Sequence, residues 1–300
     1  MIDTRSFTPF MLIGPNLDPT ILLPPFERSL PPALRLSGER SLLKSHALTR
    51  DNYSTAACLP DSPDEGKLIL RAIPVAYGAQ LICEGRSPEL VRYCAEHGLE
   101  LASDNDAERA TSLLEAALLE VVRPHSFLWS SVSELGWRCH ILRAQDDDYD
   151  VSFSDPAIPF SVFVSAPDRD DRSSILRVAE NLVHETMHLQ LTLFENLCPL
   201  VDATSPWSIY SPWKQQKRSA QGALHGLYVF CVIRWMWQQL AKTSQDRTEI
   251  EFAICRISAI DDEVSAIRGL EQSPALTEAG RHFLFQFFHS PLSPNLIDLP

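Results

Sequence analysis

The sequence has no Cys-x-x-Cys pair and no paired cysteine framework. Its seven cysteines are scattered over the 300 residues, at positions 58, 83, 94, 139, 198, 231 and 255. Single thiols distributed in this way are typical of small buried hydrophobic residues in a reducing compartment. We therefore expect a cytoplasmic protein whose cysteines stay reduced.

Positive charge is also scarce. Asp and Glu together number 39 against 26 Lys and Arg, which gives a formal net charge of -13. Nucleic acids and anionic lipid surfaces bind proteins through neutralisation of their phosphates, so an acidic surface repels both. We expect no nucleic-acid partner.

Long apolar runs are missing as well. The N-terminal MIDTRSFTPF has an early acid and a proline, whereas a secretory signal begins with a basic region followed by a long apolar one. The most apolar stretch, residues 224–237, is too short to span a bilayer and is interrupted by His225 and Arg234. The sequence therefore predicts a soluble protein without a membrane partner.

What is present is material for a sizeable core, because 45% of the residues are hydrophobic. The proline-rich residues 1–80 favour an irregular segment that packs on the rest of the chain. Short β-type runs lie between residues 136 and 166. Caps and apolar periodicity predict helices at 87–98, 104–122, 172–197, 217–243, 247–270 and 277–289.

These elements predict a mainly α protein with a small central antiparallel β element, which is an α+β fold. We divide the chain into an N-terminal wrapping and helical region, residues 1–135, and a metal-binding catalytic region, residues 136–300. The second region contains the motif that carries chemistry.

That motif is His184-Glu185-Thr186-Met187-His188, within a predicted helix. Two histidines four residues apart share one helical face, so both imidazoles can reach one divalent cation. Glu185 points beside such a cation, where zinc peptidases place their general base. The alternative is a pair of histidines that hydrogen-bond inside a core helix.

A catalytic metal site usually needs a third protein ligand. The metzincin extension is absent, because Leu191 and Phe194 stand where its glycine and histidine are required. Glu195 lies about 10 Å beyond His188 along the helix, too far to share an ion readily, so we expect it to have a supporting or solvated role. The next predicted helix has no carboxylate but has His225 between Gly222 and Gly226, small residues that allow close helix approach. His225 is either the third ligand or a core histidine.

Four segments in order now resemble a known family: SFSDPAIPFSVFVS (152–165), LVHETMHLQLTLFENLCPL (182–200), YSPWKQQKRSAQGALHGLYVF (210–230) and LTEAGRHFL (276–284). The succession is similar to the HExxH-motif peptide-modification proteins, whose members are iron(II)- and 2-oxoglutarate-dependent peptide β-hydroxylases. These act in the biosynthesis of ribosomally made, modified peptides. The resemblance covers about residues 145–290, and Thr186 and Met187 depart from the family pattern.

The resemblance implies that His184, His188 and His225 hold iron(II) between two helices, outside any cupin-like barrel. The remaining positions would take 2-oxoglutarate and dioxygen. The distal carboxylate of 2-oxoglutarate needs a cation, for which Arg218 and Arg281 are candidates, although each can equally serve in a salt bridge. Tyr228 is a candidate hydrogen-bond donor to a bound oxygen or a core residue.

Three functions remain open. The first is an oxygenase that hydroxylates a side-chain β-carbon of a ribosomally made precursor peptide, with Glu185 orienting neighbours. The second is a zinc metallopeptidase with Glu185 as general base. The third is a non-catalytic component that binds a precursor peptide. The acidic residues 146–148 predict a solvated turn or a contact for a basic peptide.

Overall fold

The computed structural model describes residues 68–75, 80–136, 138–144, 150–155, 161–267 and 269–288. Most of this part of the chain is helical. The strands are β1 (Ile69–Pro74), β2 (Gln80–Glu84), β3 (Arg138–Leu142), β4 (Ser152–Phe153), β5 (Ser161–Ser165), β6 (Ser208–Ser211) and β7 (Gln216–Ser219). The helices are α1 (Pro88–Glu96), α2 (Asp104–Ala116), α3 (Ser126–Leu135), α4 (Arg172–Leu197), α5 (Ala220–Thr243), α6 (Arg247–Ala266) and α7 (Glu278–Phe288).

The strands form a five-stranded sheet of order β1-β2-β3-β5-β4 and a separate β6-β7 hairpin. The outer pairs of the larger sheet are antiparallel, but β2–β3 and β3–β5 are parallel. The prediction of an antiparallel element is therefore wrong for the two inner pairs. Parallel strands need a long crossover, and α1, α2 and α3 supply it between β2 and β3. Short β-type runs alone do not reveal such a connection.

Strands from both predicted regions share this sheet, because β1 and β2 precede residue 135 and the other three follow it. Residues 69–74 form a β-strand whose register with β2 shifts between Ile69 and Arg71, so the prediction of an irregular segment is wrong there. Pro74 ends this edge strand, where its missing N–H costs little. Residues 1–67, most of the predicted wrapping segment, lie outside the described residues. Residues 145–149 also lie outside them, and with them the acidic residues 146–148 that were predicted as a solvated turn or a peptide contact.

The predicted helices are confirmed with small shifts at their ends. Ser87 caps α1 by accepting a hydrogen bond from the Leu90 N–H, with Pro88 at the first helical position. A π-helical turn, Ala117–Val122, extends α2 to the predicted end. α5 starts at Ala220 because residues 216–219 pair with β6. α6 ends at Ala266, shortly before Gly269 takes a positive φ of 101°.

The helix α4 lies at the centre of the molecule and packs against β5, α3 and α5. Asp171 caps its start by accepting from the Ser174 N–H at 2.8 Å. α5 packs along α6 and buries most of its length, including Tyr228 and Trp237. α4 and α5 are therefore long neighbouring helices whose facing side chains contact each other. No helix of the described residues is long and apolar enough to cross a membrane.

Candidate metal centre

Three histidines from these two helices meet at one cavity. His184 and His188 lie one turn apart on α4, with ring centroids 4.8 Å apart. His225 reaches them from α5, and its Nδ1 lies 3.2 Å from the Nδ1 of His188. The rings of His188 and His225 are nearly parallel, with an interplanar angle of 16°. The structure thus brings together the three histidines that the sequence singled out.

Glu195 orients the ring of His225. The His225 Nε2–H donates to the Glu195 carboxylate at 2.8 Å, and the Gln221 amide donates to the same oxygen at 3.0 Å. A histidine that donates one ring N–H to a carboxylate keeps the other nitrogen free to bind a metal. The nitrogen left in this way is the Nδ1 that faces His188.

The environment keeps the two α4 histidines neutral at pH 7. Burial lowers the pKa of His184 to about 4, with further contributions from the charges of Lys214 and Arg256. Burial likewise lowers the pKa of His188 to about 3. Metal ligation needs the deprotonated imidazole, so neither histidine has to lose a proton before it binds an ion.

Glu185 is 3% exposed, and hydroxyl groups occupy both oxygens of its carboxylate. Ser152 donates to one oxygen at 2.6 Å, and Ser154 donates to the other at 2.5 Å. The first oxygen lies 3.8 Å from the Nε2 of His184. Glu185 therefore lies between the edge strand β4 and the histidines, and contacts both.

The cavity above the histidines has a volume of about 490 Å³. Lys214 and Arg218, both from the β6–β7 hairpin, line it beside His184, Glu185 and His188. Neither cation makes a hydrogen bond or ion pair with any residue that the structure describes. The site thus places three histidines next to two cations that have no carboxylate partner among the described residues.

The two glycines beside His225 make room for the hairpin. A Cβ at Gly226 would lie 2.6 Å from the Trp213 ring, and one at Gly222 would lie 2.8 Å from the Arg218 guanidinium. These glycines were expected to let the two helices approach closely. The structure shows instead that the side chains of Trp213 and Arg218 occupy the space beside them. The Trp213 ring also stacks on Phe230 at 5.0 Å.

Two predicted cosubstrate residues do not reach the cavity. Arg281 donates to the backbone oxygen of Leu276 at 2.7 Å and does not line the cavity. Tyr228 is 1% exposed, and its hydroxyl donates to Gln190 at 2.5 Å within the core. Of the three residues proposed for the cosubstrate, only Arg218 faces the histidines.

The donor set fits a metal ion in part. Two nitrogens that bind one zinc-sized ion at tetrahedral positions lie about 3.3 Å apart, close to the 3.2 Å between His188 and His225. Across the six described ranges, however, no group of three or more His, Cys, Asp or Glu side chains is arranged to hold an ion. The His188–His225 pair has the right spacing, whereas His184 lies beside it without completing a three-ligand set.

Several residues of the site were missed by the sequence analysis. Ser152 and Ser154 were missed because a serine in a β-type run carries no mark of its partner on a distant helix. Trp213 and Lys214 lie in the turn between β6 and β7, a hairpin that was not predicted. Both residues lie in the segment 210–230 that carries the family resemblance, but no role was assigned to them there.

Comparison of the chain with known protein families and with curated proteins finds no match. The resemblance described above therefore stays a prediction.

Proposed function

We propose that this protein is an iron(II)- and 2-oxoglutarate-dependent oxygenase that hydroxylates a side-chain β-carbon of a ribosomally made precursor peptide. The observation that carries the proposal is one cavity with three histidines and two cations that lack a described carboxylate partner. Neutral imidazoles suit iron(II), and a free guanidinium suits the carboxylate of a small dicarboxylic acid.

In this proposal His188 and His225 hold the metal at their present spacing, His184 turns its ring toward them to become the third ligand, and Glu195 orients His225. With iron(II) bound, one atom of dioxygen would enter 2-oxoglutarate as it becomes succinate and carbon dioxide, and the other would become the hydroxyl of the peptide. Arg218 binds the distal carboxylate of the cosubstrate, with Lys214 adding positive charge at the rim. Trp213 and Phe230 form an apolar wall that limits water around the reacting groups.

The contacts of Glu185 bear on the choice between this reaction and peptide hydrolysis. Each of its oxygens accepts one hydrogen bond from a serine hydroxyl, so the carboxylate is held in a fixed orientation against β4. This arrangement suits a residue that positions its neighbours. The zinc metallopeptidase remains the rival, and a non-catalytic peptide-binding protein is a third candidate, for which the histidines would be dispensable to peptide binding.

The proposal is tested by the affinity of the iron-loaded protein for 2-oxoglutarate without oxygen, measured by titration calorimetry. Arg218→Ala should weaken binding roughly 10- to 100-fold, because a charge-assisted hydrogen bond is lost. Arg281→Ala is the matched control and should leave the affinity unchanged, since Arg281 lies outside the cavity. Equal affinities in both variants, or no binding to the unaltered protein, would contradict the proposal.

A further inference from the structure

The strand β4 is the edge of the five-stranded sheet and borders the cavity. It pairs with β5 on one side, and no described strand pairs with its other side. Ser152, Phe153 and the following Ser154 all line the cavity with His184. An edge strand with unpaired backbone groups is a template for an added strand.

The register shows which backbone groups face outward. Ser165 donates its N–H to the Val151 oxygen at 2.8 Å, so Val151 turns its backbone toward β5. Orientation alternates along an antiparallel pair, so Phe153, opposite Phe163, also turns toward β5. Ser152 therefore directs its N–H and C=O groups away from β5, toward the outer edge. Ser154 lies one residue past β4, and its hydroxyl contacts Glu185 as that of Ser152 does, so we infer the same backbone orientation for it.

The same two serines are held by Glu185 through their hydroxyls. This contact fixes the outer edge of β4 against α4. It also places that edge close to the metal ligands, since Glu185 lies 3.8 Å from the Nε2 of His184. A strand added to a sheet lies about 4.8 Å from its neighbour, so a chain paired with β4 would pass beside the histidines.

We propose that the outer edge of β4 binds the peptide substrate as an added β-strand, through the backbone of Ser152 and Ser154. This inference rests on the proposed function and deepens it by naming the mode of substrate binding. Side chains of a strand alternate between its two faces. Alternate side chains of the bound peptide therefore point toward the cavity, while their neighbours point away. Glu185 is a positioning residue for this edge.

An extended peptide is favoured over a second copy of this chain as the occupant. Two copies that each carry a net charge of -13 repel one another. The edge is also continuous with the cavity that holds the candidate ligands, where a single extended chain fits more readily than a folded domain. Backbone pairing tolerates many side chains, so the sequence preference would come from the cavity.

The experiment selects short peptides of randomised sequence that bind the full-length protein, and then compares Ser152→Pro with Ser152→Ala. Both substitutions remove the hydroxyl, but only proline removes the outward N–H, and proline is tolerated at such an edge position. We expect the selected peptides to bind Ser152→Pro about tenfold more weakly than Ser152→Ala. Equal binding would overturn the proposal, as would a selection that yields no peptide.

Hydrogen exchange of the unaltered protein gives an independent reading if a variant folds poorly. Addition of a selected peptide should slow exchange at the Ser152 and Ser154 amides and leave Phe153, already turned toward β5, unchanged. Slow exchange at both serines before peptide is added would overturn the proposal, because the edge would already be covered. Both experiments measure binding without turnover, so a failure of the oxygenase proposal can be told apart from a failure of this one.

Discussion

The hydrogen bond between His225 and Glu195 determines which nitrogen of that imidazole is available to a metal. Glu195 follows His188 by seven residues on α4, and its carboxylate reaches across to His225 of α5. Sequence spacing along one helix predicts which residues share a face. It does not show that a carboxylate supports a histidine on another helix, since that contact depends on how the helices pack.

Glu195→Gln should weaken iron(II) binding about 10- to 100-fold, the usual cost of losing a carboxylate behind a ligating histidine. The neutral amide no longer raises the basicity of the His225 ring. Gln221→Ala is the matched control. Gln221 donates to the same carboxylate, but its loss leaves the hydrogen bond between Glu195 and His225 in place. Competition with a chelator measures the affinity, and equal affinities in the two variants would count against a metal at His225.

Glu185→Gln separates the oxygenase from the peptidase. Glutamine can still accept from Ser152 and can donate to the Ser154 oxygen, so the edge of the sheet should stay in place. An oxygenase should therefore keep a measurable part of its 2-oxoglutarate turnover, followed as succinate formed. Complete loss of turnover with intact metal binding would contradict the positioning role and favour an essential base.

Among the structural elements, the β6–β7 hairpin brings the cations to the cavity. Trp213 at its turn donates its indole N–H to Glu263 of α6 at 2.9 Å. The same ring lies over Gly226 and stacks on Phe230 of α5. The hairpin is thus fixed against two helices, and the position of Arg218 depends on that packing.

Gly226→Ala should destabilise this packing, although alanine is the better helix former. The new methyl would lie 2.6 Å from the Trp213 ring, and such overpacking costs about 1–3 kcal/mol. Thermal unfolding and tryptophan fluorescence measure the change. Gly222→Ala is the control, since its methyl meets only the flexible Arg218 side chain. It should keep the fold and lower chiefly the affinity for 2-oxoglutarate, and equal stability of the two variants would contradict this account.

Six helices were predictable from local signals, whereas α3 was not predicted and neither was the arrangement of the strands. Ser87 with Pro88 marks the start of α1, and the apolar periodicity outlines α4 and α5. These signals act within a few residues and do not depend on the rest of the fold. The parallel pairing of β3 depends on β2 and β5, which are not adjacent to it in the sequence. The β6–β7 hairpin is held in place by its contacts with α5 and α6.

For the candidate site, the sequence identified the residues with distinctive chemistry. The HExxH spacing and the neighbouring His225 were sufficient to nominate the three histidines that meet at the cavity. Arg281 was nominated for its charge within the segment 276–284, and Tyr228 for its position one turn after His225, but neither reaches the cavity. Ser152 and Ser154 were missed for the opposite reason, because their role comes entirely from the position of β4.

At the scale of the whole molecule, one sheet joins the two regions into which the sequence was divided. Its central strands are buried on both faces, and His140 of β3 is buried among them with 0% exposure. Neither ring nitrogen of His140 hydrogen-bonds to a described residue. Its ring lies against Phe163, with centroids 4.7 Å apart. The fold must therefore keep this imidazole neutral.

The stability of the molecule should fall as the pH drops below 6.5. Burial lowers the pKa of His140 to about 3, so between pH 6.5 and 3 the unfolded chain binds a proton that the folded protein excludes. Relative to high pH, this one group should remove about 0.4 kcal/mol of unfolding free energy by pH 6.5 and about 2 kcal/mol by pH 5. His140→Phe should reduce the slope in denaturant titrations at several pH values. An unchanged slope would show that His140 is not buried as described.

We propose that His184, His188 and His225 hold iron(II) together with 2-oxoglutarate. The most direct measurement adds iron(II) and then 2-oxoglutarate to the protein without oxygen and records the visible charge-transfer band of the chelate. We expect a band in the unaltered protein and its loss in His225→Ala. His125→Ala is the control and should keep the band, because the His125 ring lies against Trp235 and does not line the cavity. Absence of the band, with zinc held tightly instead, would contradict the account and favour the metallopeptidase.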